Sequence, residues 1–262
     1  MKDGESEVID LHCHILPGVD DGAKDIASSV EMAKQAISQG IHIIVATPHH
    51  QNGKYINEKA SIEQQVRLLN QVLQEQELPL TILPGQESRI FGEMVEEYRA
   101  SRVLTLNNTG KYIFVEFPSS QVPRYTEQLL FNLQSEGLTP IIVHPERNSH
   151  LIEEPDLLYN FVSRGALTQL TASSLAGDFG KKIKKFSHQL IEANLTHFIA
   201  SDAHNVAGRS FRMKEALSIV EREYGIDLVY QFNENAICVV EGKTCFIEPP
   251  ERIQRKKFLG IF

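Results

Sequence analysis

Short apolar runs rich in valine and isoleucine recur along the chain, and helical patterns of ten or more residues separate most of them. This alternation is the signature of βαβ units around a parallel sheet, and it limits the fold more than any other feature. Seven runs stand out: Val8 to Leu11, Ile43 to Ala46, Leu80 to Leu83, Tyr112 to Phe117, Pro140 to Val143, Ala166 to Leu170 and Thr196 to Ala200. Helices are expected over Ser28 to Ser38, Ile62 to Gln76, Glu127 to Ser135, Asp156 to Arg164 and Lys181 to Ala193. Gly40, Gly137 and Gly165 sit where left-handed helix caps are needed. Runs such as IIVA and IIV should be buried on both faces, as parallel strands are. With 262 residues and no linker or low-complexity segment, residues 1–262 are expected to form one domain. Periodicity alone fits either a distorted barrel or an open doubly wound sheet.

The polar residues are more selective. The first strand ends in Asp10-Leu11-His12-Cys13-His14, where alternation should project both imidazoles from one face and turn Cys13 into the core. The second ends in Thr47-Pro48-His49-His50, the third in Pro84-Gly85-Gln86-Glu87 and the fourth in Glu116-Phe117-Pro118. His144-Pro145-Glu146-Arg147 follows the fifth and Ser201-Asp202-Ala203-His204 the last. In a parallel barrel these carboxyl ends face one side, where loops build active sites. Imidazole and carboxylate without cysteine suit a catalytic zinc, manganese or iron centre rather than a structural zinc site. More than four candidate ligands imply more than one ion, with Glu87 or Asp202 able to bridge.

Other histidines read as structural or solvated: His42 and His197 at the opposite edge, His150 in a loop and His188 on a helix. Gly85 is expected to shape a turn. None of Cys13, Cys238 and Cys245 is followed six residues later by arginine, which excludes the thiolate mechanism of cysteine-based tyrosine phosphatases. Three cysteines without CxxC fit a reducing compartment, and with no apolar leader or membrane-length run the expectation is a cytoplasmic protein. A formal charge of -8 argues against a nucleic-acid surface. The tail Arg252 to Phe262 mixes cations with apolar residues and is expected to pack back on the fold, with an acidic lipid or a partner as the other reading.

Taken together, HxH, DxH and the acidic strand ends resemble the PHP family, named for polymerase and histidinol phosphatase. IDLHCHILPGVDDGAKD, ATPHH, PGQE, EFP, VHPER and SDAHN are most similar to the bacterial manganese-dependent protein-tyrosine phosphatases of exopolysaccharide and capsule operons. The resemblance implies a distorted TIM-like (β/α)7 barrel of the PHP type with three divalent ions, manganese first and iron, zinc, cobalt or magnesium as substitutes. It assigns His12, His14, Glu87 and Asp202 to one ion, Glu87, Glu116 and His144 to a second, and Asp21, His49 and His204 to a third. The residues themselves leave Asp20 against Asp21, and His49 against His50, open. Arg147 and Arg209 are implied as the phosphate clamp, and Arg124 is a candidate substrate contact. The implied reaction is metal-hydroxide attack on phosphotyrosine of a protein, with the tail of a bacterial tyrosine kinase as partner. A histidinol-phosphate type phosphatase is the nearest alternative, and a non-catalytic phosphotyrosine-binding adaptor the alternative of another class.

Overall fold

The computed structural model describes residues 8–254. The elements follow as β1 (Val8–Cys13), α1 (Ile26–Ser38), β2 (Ile41–Ala46), β3 (His49–His50), α2 (Lys59–Glu75), β4 (Thr81–Pro84), β5 (Glu87–Arg89), α3 (Met94–Arg99), β6 (Tyr112–Glu116) and α4 (Thr126–Ser135). They continue as β7 (Thr139–Val143), α5 (Ser149–Glu153), α6 (Pro155–Ser163), β8 (Leu167–Thr171), α7 (Ala172–Ala176), α8 (Lys181–Glu192), β9 (Phe198–Ala200), α9 (Met213–Tyr224) and α10 (Ile226–Val240). The protein is α/β with two parallel sheets, ordered β1-β2-β4 and β3-β5-β6-β7-β8-β9.

All seven expected strands are present, with shifted ends, and the break between the sheets falls inside two of the sequence units. Thr47-Pro48 separates β2 from β3, and Gly85-Gln86 separates β4 from β5. Gly85 has no left-handed backbone. It is glycine because a Cβ there would lie 2.6 Å from Val45 Cγ1, a close approach rather than the expected turn. The sheets touch again at the carboxyl end of β1, where Cys13 pairs in parallel with Ala203, Asp202 N donates to His12 O (2.8 Å) and His14 N donates to Ala203 O (2.9 Å).

Alternation along the strands fills two hydrophobic layers. Tyr112, Phe114, Ile141, Val143, Phe198 and Ala200 face a smaller cluster closed by Ala236, Val239 and Val240 of α10, whereas Ile113, Val115, Ile142 and Ile199 face the larger cluster under the helices. In β1 the register slips between Asp10 and Cys13. Leu11 therefore joins the smaller cluster and Cys13 the larger one, while the His12 ring comes 5.2 Å from Phe114. A bulge of this kind re-aims side chains at the end of a strand.

The five expected helices form, displaced by one to three residues. Helix α1 starts two residues early because Asp25 caps it, accepting from Ser28 N (2.8 Å). Gly40, Gly137 and Gly165 all have positive φ, as their cap positions require. Helices α9 and α10 follow the last strand and were not among the expected elements. In α10, Asn233 and Asn235 interrupt the apolar stripe, and Asn235 is buried because it exchanges two hydrogen bonds with the Phe246 backbone (2.8 and 2.9 Å). His150 lies in α5 rather than a loop and accepts from Val122 N (3.2 Å). His188 is also half-buried, its Nδ1 2.7 Å from the Tyr224 hydroxyl, so neither is a freely solvated group. No helix among the described residues is long and apolar enough to cross a membrane. Most of the tail, residues 255–262, lies outside the described residues.

His197, 3 % exposed, is held neutral between β8 and β9: its Nδ1 accepts from Thr168 N (3.0 Å), and burial pushes its pKa down to about 4. Below the ordinary value near 6.5 the unfolded chain binds a proton that the folded one refuses, so this contribution to stability is lost as pH falls towards 4. Urea unfolding should show a fall of about 2 kcal/mol from His197 between pH 7 and pH 5. The His197→Asn variant should lack that increment; an unchanged pH slope would refute the assignment.

Candidate metal centre

Six strand ends deliver eight of the sequence-predicted metal ligands, and the loop after β1 brings the ninth, Asp21, to the same place. Glu87, at the start of β5, is fully buried and meets four imidazoles. Its Oε1 lies 2.8 Å from His144 Nε2 and 3.4 Å from His12 Nε2; its Oε2 lies 2.7 Å from His49 Nδ1 and 3.3 Å from His14 Nε2. Asp202 divides its two oxygens. Oδ1 faces His14 Nε2 (3.3 Å), His12 Nε2 (3.5 Å) and His204 Nδ1 (3.5 Å), and Oδ2 takes Arg147 Nη1 (2.8 Å) and Arg209 Nη2 (3.0 Å). Asp21 Oδ1 closes the far side against His49 Nε2 (3.4 Å) and His204 Nε2 (3.5 Å). Glu116 Oε1 is held by Arg89 Nη2 (3.0 Å), leaving Oε2 3.8 Å from His49 Nδ1.

The backbone is unusual where two of these groups enter. His144 and Asp202 adopt left-handed φ values of 36° and 51°, a conformation that costs a branched or bulky residue free energy and that clusters at functional sites. His144 follows β7 directly and Asp202 lies two residues beyond β9, so both enter the centre from strand ends.

His49 Nδ1, Glu87 Oε2, Glu116 Oε2, Asp202 Oδ1 and His204 Nε2 are buried and crowd imidazole or carboxylate neighbours at 2.7–3.8 Å, yet none of them has a partner in hydrogen-bond geometry. Buried polar atoms left unpaired are expensive, and five converging in one place call for a common partner. Three sets of donors are compact enough to share an ion: His14, Asp21, His49 and His204; His12, His14 and Glu87; and His49, Glu87 and Glu116. Imidazole nitrogen and carboxylate oxygen are ligands for divalent first-row metals, so the donor set fits a cluster of such ions. The grouping differs in detail from the one the resemblance implies: His144 joins through its contact with Glu87, and His49 approaches Glu87 as well as Asp21.

Electrostatics follow from this crowding. Burial works against ionisation of Glu87, but His12 and His49 hold its carboxyl well below the usual range; for Asp202 the same burial is overcome by Arg147 and His12. Burial and the neighbouring Glu87 charge push Glu116 up to about 7. Burial and Arg147 push His144 down to about 3, which keeps its nitrogen free to act as a ligand.

A further layer of residues aims the imidazoles. Gln169 Oε1 lies 2.8 Å from His12 Nδ1 and Asp20 Oδ2 lies 2.6 Å from His14 Nδ1, so in both rings Nε2 is the atom turned to the centre. The structure thereby separates the adjacent aspartates: Asp20 supports His14 and also accepts from His49 N (3.1 Å) and Gly22 N (2.9 Å), while Asp21 faces the donors. His50 turns away and packs edge-on to Phe91 (6.2 Å). Arg124 is exposed and lies outside the residues lining the cavity. Gln169 and Arg89 were not foreseen. The one available signal for Gln169 was an amide in the middle of the otherwise compact strand LTQLT.

Gly22 allows the loop to close over His14: an added Cβ would stand 2.0 Å from His14 O and 2.5 Å from His14 Cβ. Gly22→Ala should therefore displace Asp20 and Asp21 and weaken metal binding by about 10- to 100-fold, as loss of an orienting partner does. Calorimetric titration with manganese checks this, and undiminished affinity would show that the loop is not part of the site.

The centre opens into a cavity of about 460 Å³ with His49, Glu87, His144, Arg147, Phe179 and Arg209 in its wall. Residues 8–241 match the family described as capsular polysaccharide synthesis, CpsB/CapC. The tyrosine-protein phosphatase YwqE of Bacillus subtilis is 51% identical over 255 residues, 97% of this chain and 100% of that protein. A solved structure from the work on YwqE of Bacillus subtilis and CpsB of Streptococcus pneumoniae, described as unique metal-dependent tyrosine phosphatases, superposes with a TM-score of 0.92 at 51% identity, covering 94% of this chain and 100% of the other. An organophosphorus hydrolase from Deinococcus radiodurans shares the fold alone, with a TM-score of 0.57 at 13% identity over 90% and 92% of the two chains.

Proposed function

Because the chain belongs to the CpsB/CapC family of capsular polysaccharide synthesis, we propose that it removes phosphate from the tyrosine-phosphorylated tail of a bacterial tyrosine kinase in the cytoplasm, and so regulates capsule or exopolysaccharide synthesis. The enzyme is a metal-dependent tyrosine phosphatase. Its sheets act as one closed seven-unit barrel, and its donors hold three divalent ions, manganese first, in the division the resemblance implies. One observation carries the phosphatase chemistry: unpaired imidazole and carboxylate atoms converge beside two arginines in a single cavity.

Arg147 and Arg209 aim their planar forks at one oxygen, Asp202 Oδ2. That oxygen marks where the non-bridging oxygens of a phosphomonoester would compete for the same donors, two charge-assisted contacts that lysine would not reproduce. Divalent ions held by the neighbouring ligands would supply an acidified water and neutralise phosphoryl charge. Glu87, with the largest number of imidazole contacts, keeps the ligands together. Phenolate is a comparatively good leaving group, so no side chain is assigned as an obligatory general acid.

The test is steady-state hydrolysis of a phosphotyrosine peptide beside histidinol phosphate, with protein stripped of metal and refilled with manganese. Manganese-dependent cleavage of the peptide is expected. A preference for histidinol phosphate would move the protein to small-molecule chemistry, and tight peptide binding without turnover would make it an adaptor.

A further inference from the structure

Phe179 lies between α7 and α8 in the four-residue turn Gly177-Asp178-Phe179-Gly180. Three observations set it apart from an ordinary surface aromatic. Its ring lies against the Arg147 guanidinium, 5.4 Å from centroid to Cζ, and it lines the cavity of the metal centre. Among the described residues it joins neither hydrophobic cluster, although it is half-buried. The turn that carries it is fastened from both sides.

Gly177 and Gly180 supply positive φ at each end, Asp178 N and Gly177 N both donate to Ser173 O (3.0 Å each), and Arg212 holds the Asp178 carboxylate through Nε (3.0 Å) and Nη2 (2.8 Å). Glu146, fully buried beside Arg147, accepts from Ser174 Oγ of α7 (2.6 Å) and from Thr171 N (3.0 Å). The phosphate-clamping arginine and the aromatic turn are thus bolted to one another. A ring excluded from the core, yet held in place next to the clamp, is positioned for a ligand rather than for packing.

We infer that Phe179 is a specificity-determining residue, an aromatic wall that recognises the phenyl ring attached to the phosphate and so favours aryl over alkyl phosphomonoesters. The inference rests on the phosphotyrosine reading above and deepens it: the metals and arginines meet the phosphoryl group common to all monoesters, and Phe179 meets the part that distinguishes tyrosine. Aromatic pairs prefer offset or edge-to-face contact, which a ring standing beside the anion clamp can offer to a substrate ring entering the cavity.

The test is calorimetric binding of phenylphosphonate and methylphosphonate to the manganese-loaded protein, alongside hydrolysis of a phosphotyrosine peptide. Wild type should bind the phenyl compound more tightly. Phe179→Ala should weaken phenylphosphonate by about 3- to 10-fold and leave methylphosphonate unchanged, and Phe179→Tyr should restore the preference. Equal weakening of both ligands would reduce Phe179 to a prop for Arg147 and overturn the inference, as would a wild type that shows no phenyl preference. If the phenyl preference exists and depends on Phe179 while the peptide is not cleaved, the aryl wall stands and the tyrosine-phosphatase reading falls.

Discussion

Glu87→Gln should strip the centre of its metal and of its activity together. The substitution keeps the shape of the side chain but replaces an oxygen with a hydrogen-bond donor, in a position where Glu87 faces His12, His14, His49 and His144 within 3.4 Å. Loss of an outer partner of a ligand costs about 10- to 100-fold in metal affinity, and loss of the carboxylate shared by four imidazoles should cost at least the upper end of that range. Metal content after dialysis, measured by mass spectrometry, should fall in step with turnover of a phosphotyrosine peptide, and a thermal melt should show that the chain remains folded. A variant that keeps its metal and its rate would show that the centre is not organised around Glu87.

The second large effect separates phosphate binding from metal binding. Arg147→Lys keeps the positive charge but loses the planar fork that now reaches Asp202 Oδ2. The expected outcome is a fall in kcat/KM of about 10²- to 10³-fold, the cost of removing one well-placed donor to a transition-state oxygen, with manganese content unchanged. Arg209→Lys should lose less, because the Arg209 side chain is 35 % exposed against 21 % for Arg147 and is already shared with water. If Arg147→Lys also empties the metal site, its main task is to hold Asp202, and the clamp must be sought elsewhere.

Both variants act on residues that were legible before any coordinates. His12, His14, Glu87, Glu116, His144, Asp202 and His204 all follow apolar runs, and a chemical pattern repeated at strand ends survives errors of a few residues in the ends themselves. The helix starts show such errors: α1 begins at Ile26 because the Asp25 cap, a local hydrogen bond, outweighs the apolar pattern. Arg124 is less legible: a loop residue is aimed by the local backbone rather than by its distance from a motif, and it is exposed outside the residues lining the cavity.

Sequence alone determined the parallel α/β class, the strand ends that carry the candidate ligands and the donor types, because continuous apolar strand runs, the helical patterns between them and metal-binding side chains are local properties of the chain. Only the tertiary structure decided between Asp20 and Asp21 and between His49 and His50. Adjacent residues have equal chemistry on paper, and which one reaches the centre depends on backbone reversals and on partners far along the chain. The roles of Gln169 behind His12, Arg89 behind Glu116 and Phe179 against Arg147 were decided in the same way. Their partners lie 157, 27 and 32 positions away, and no local pattern encodes a contact over that distance.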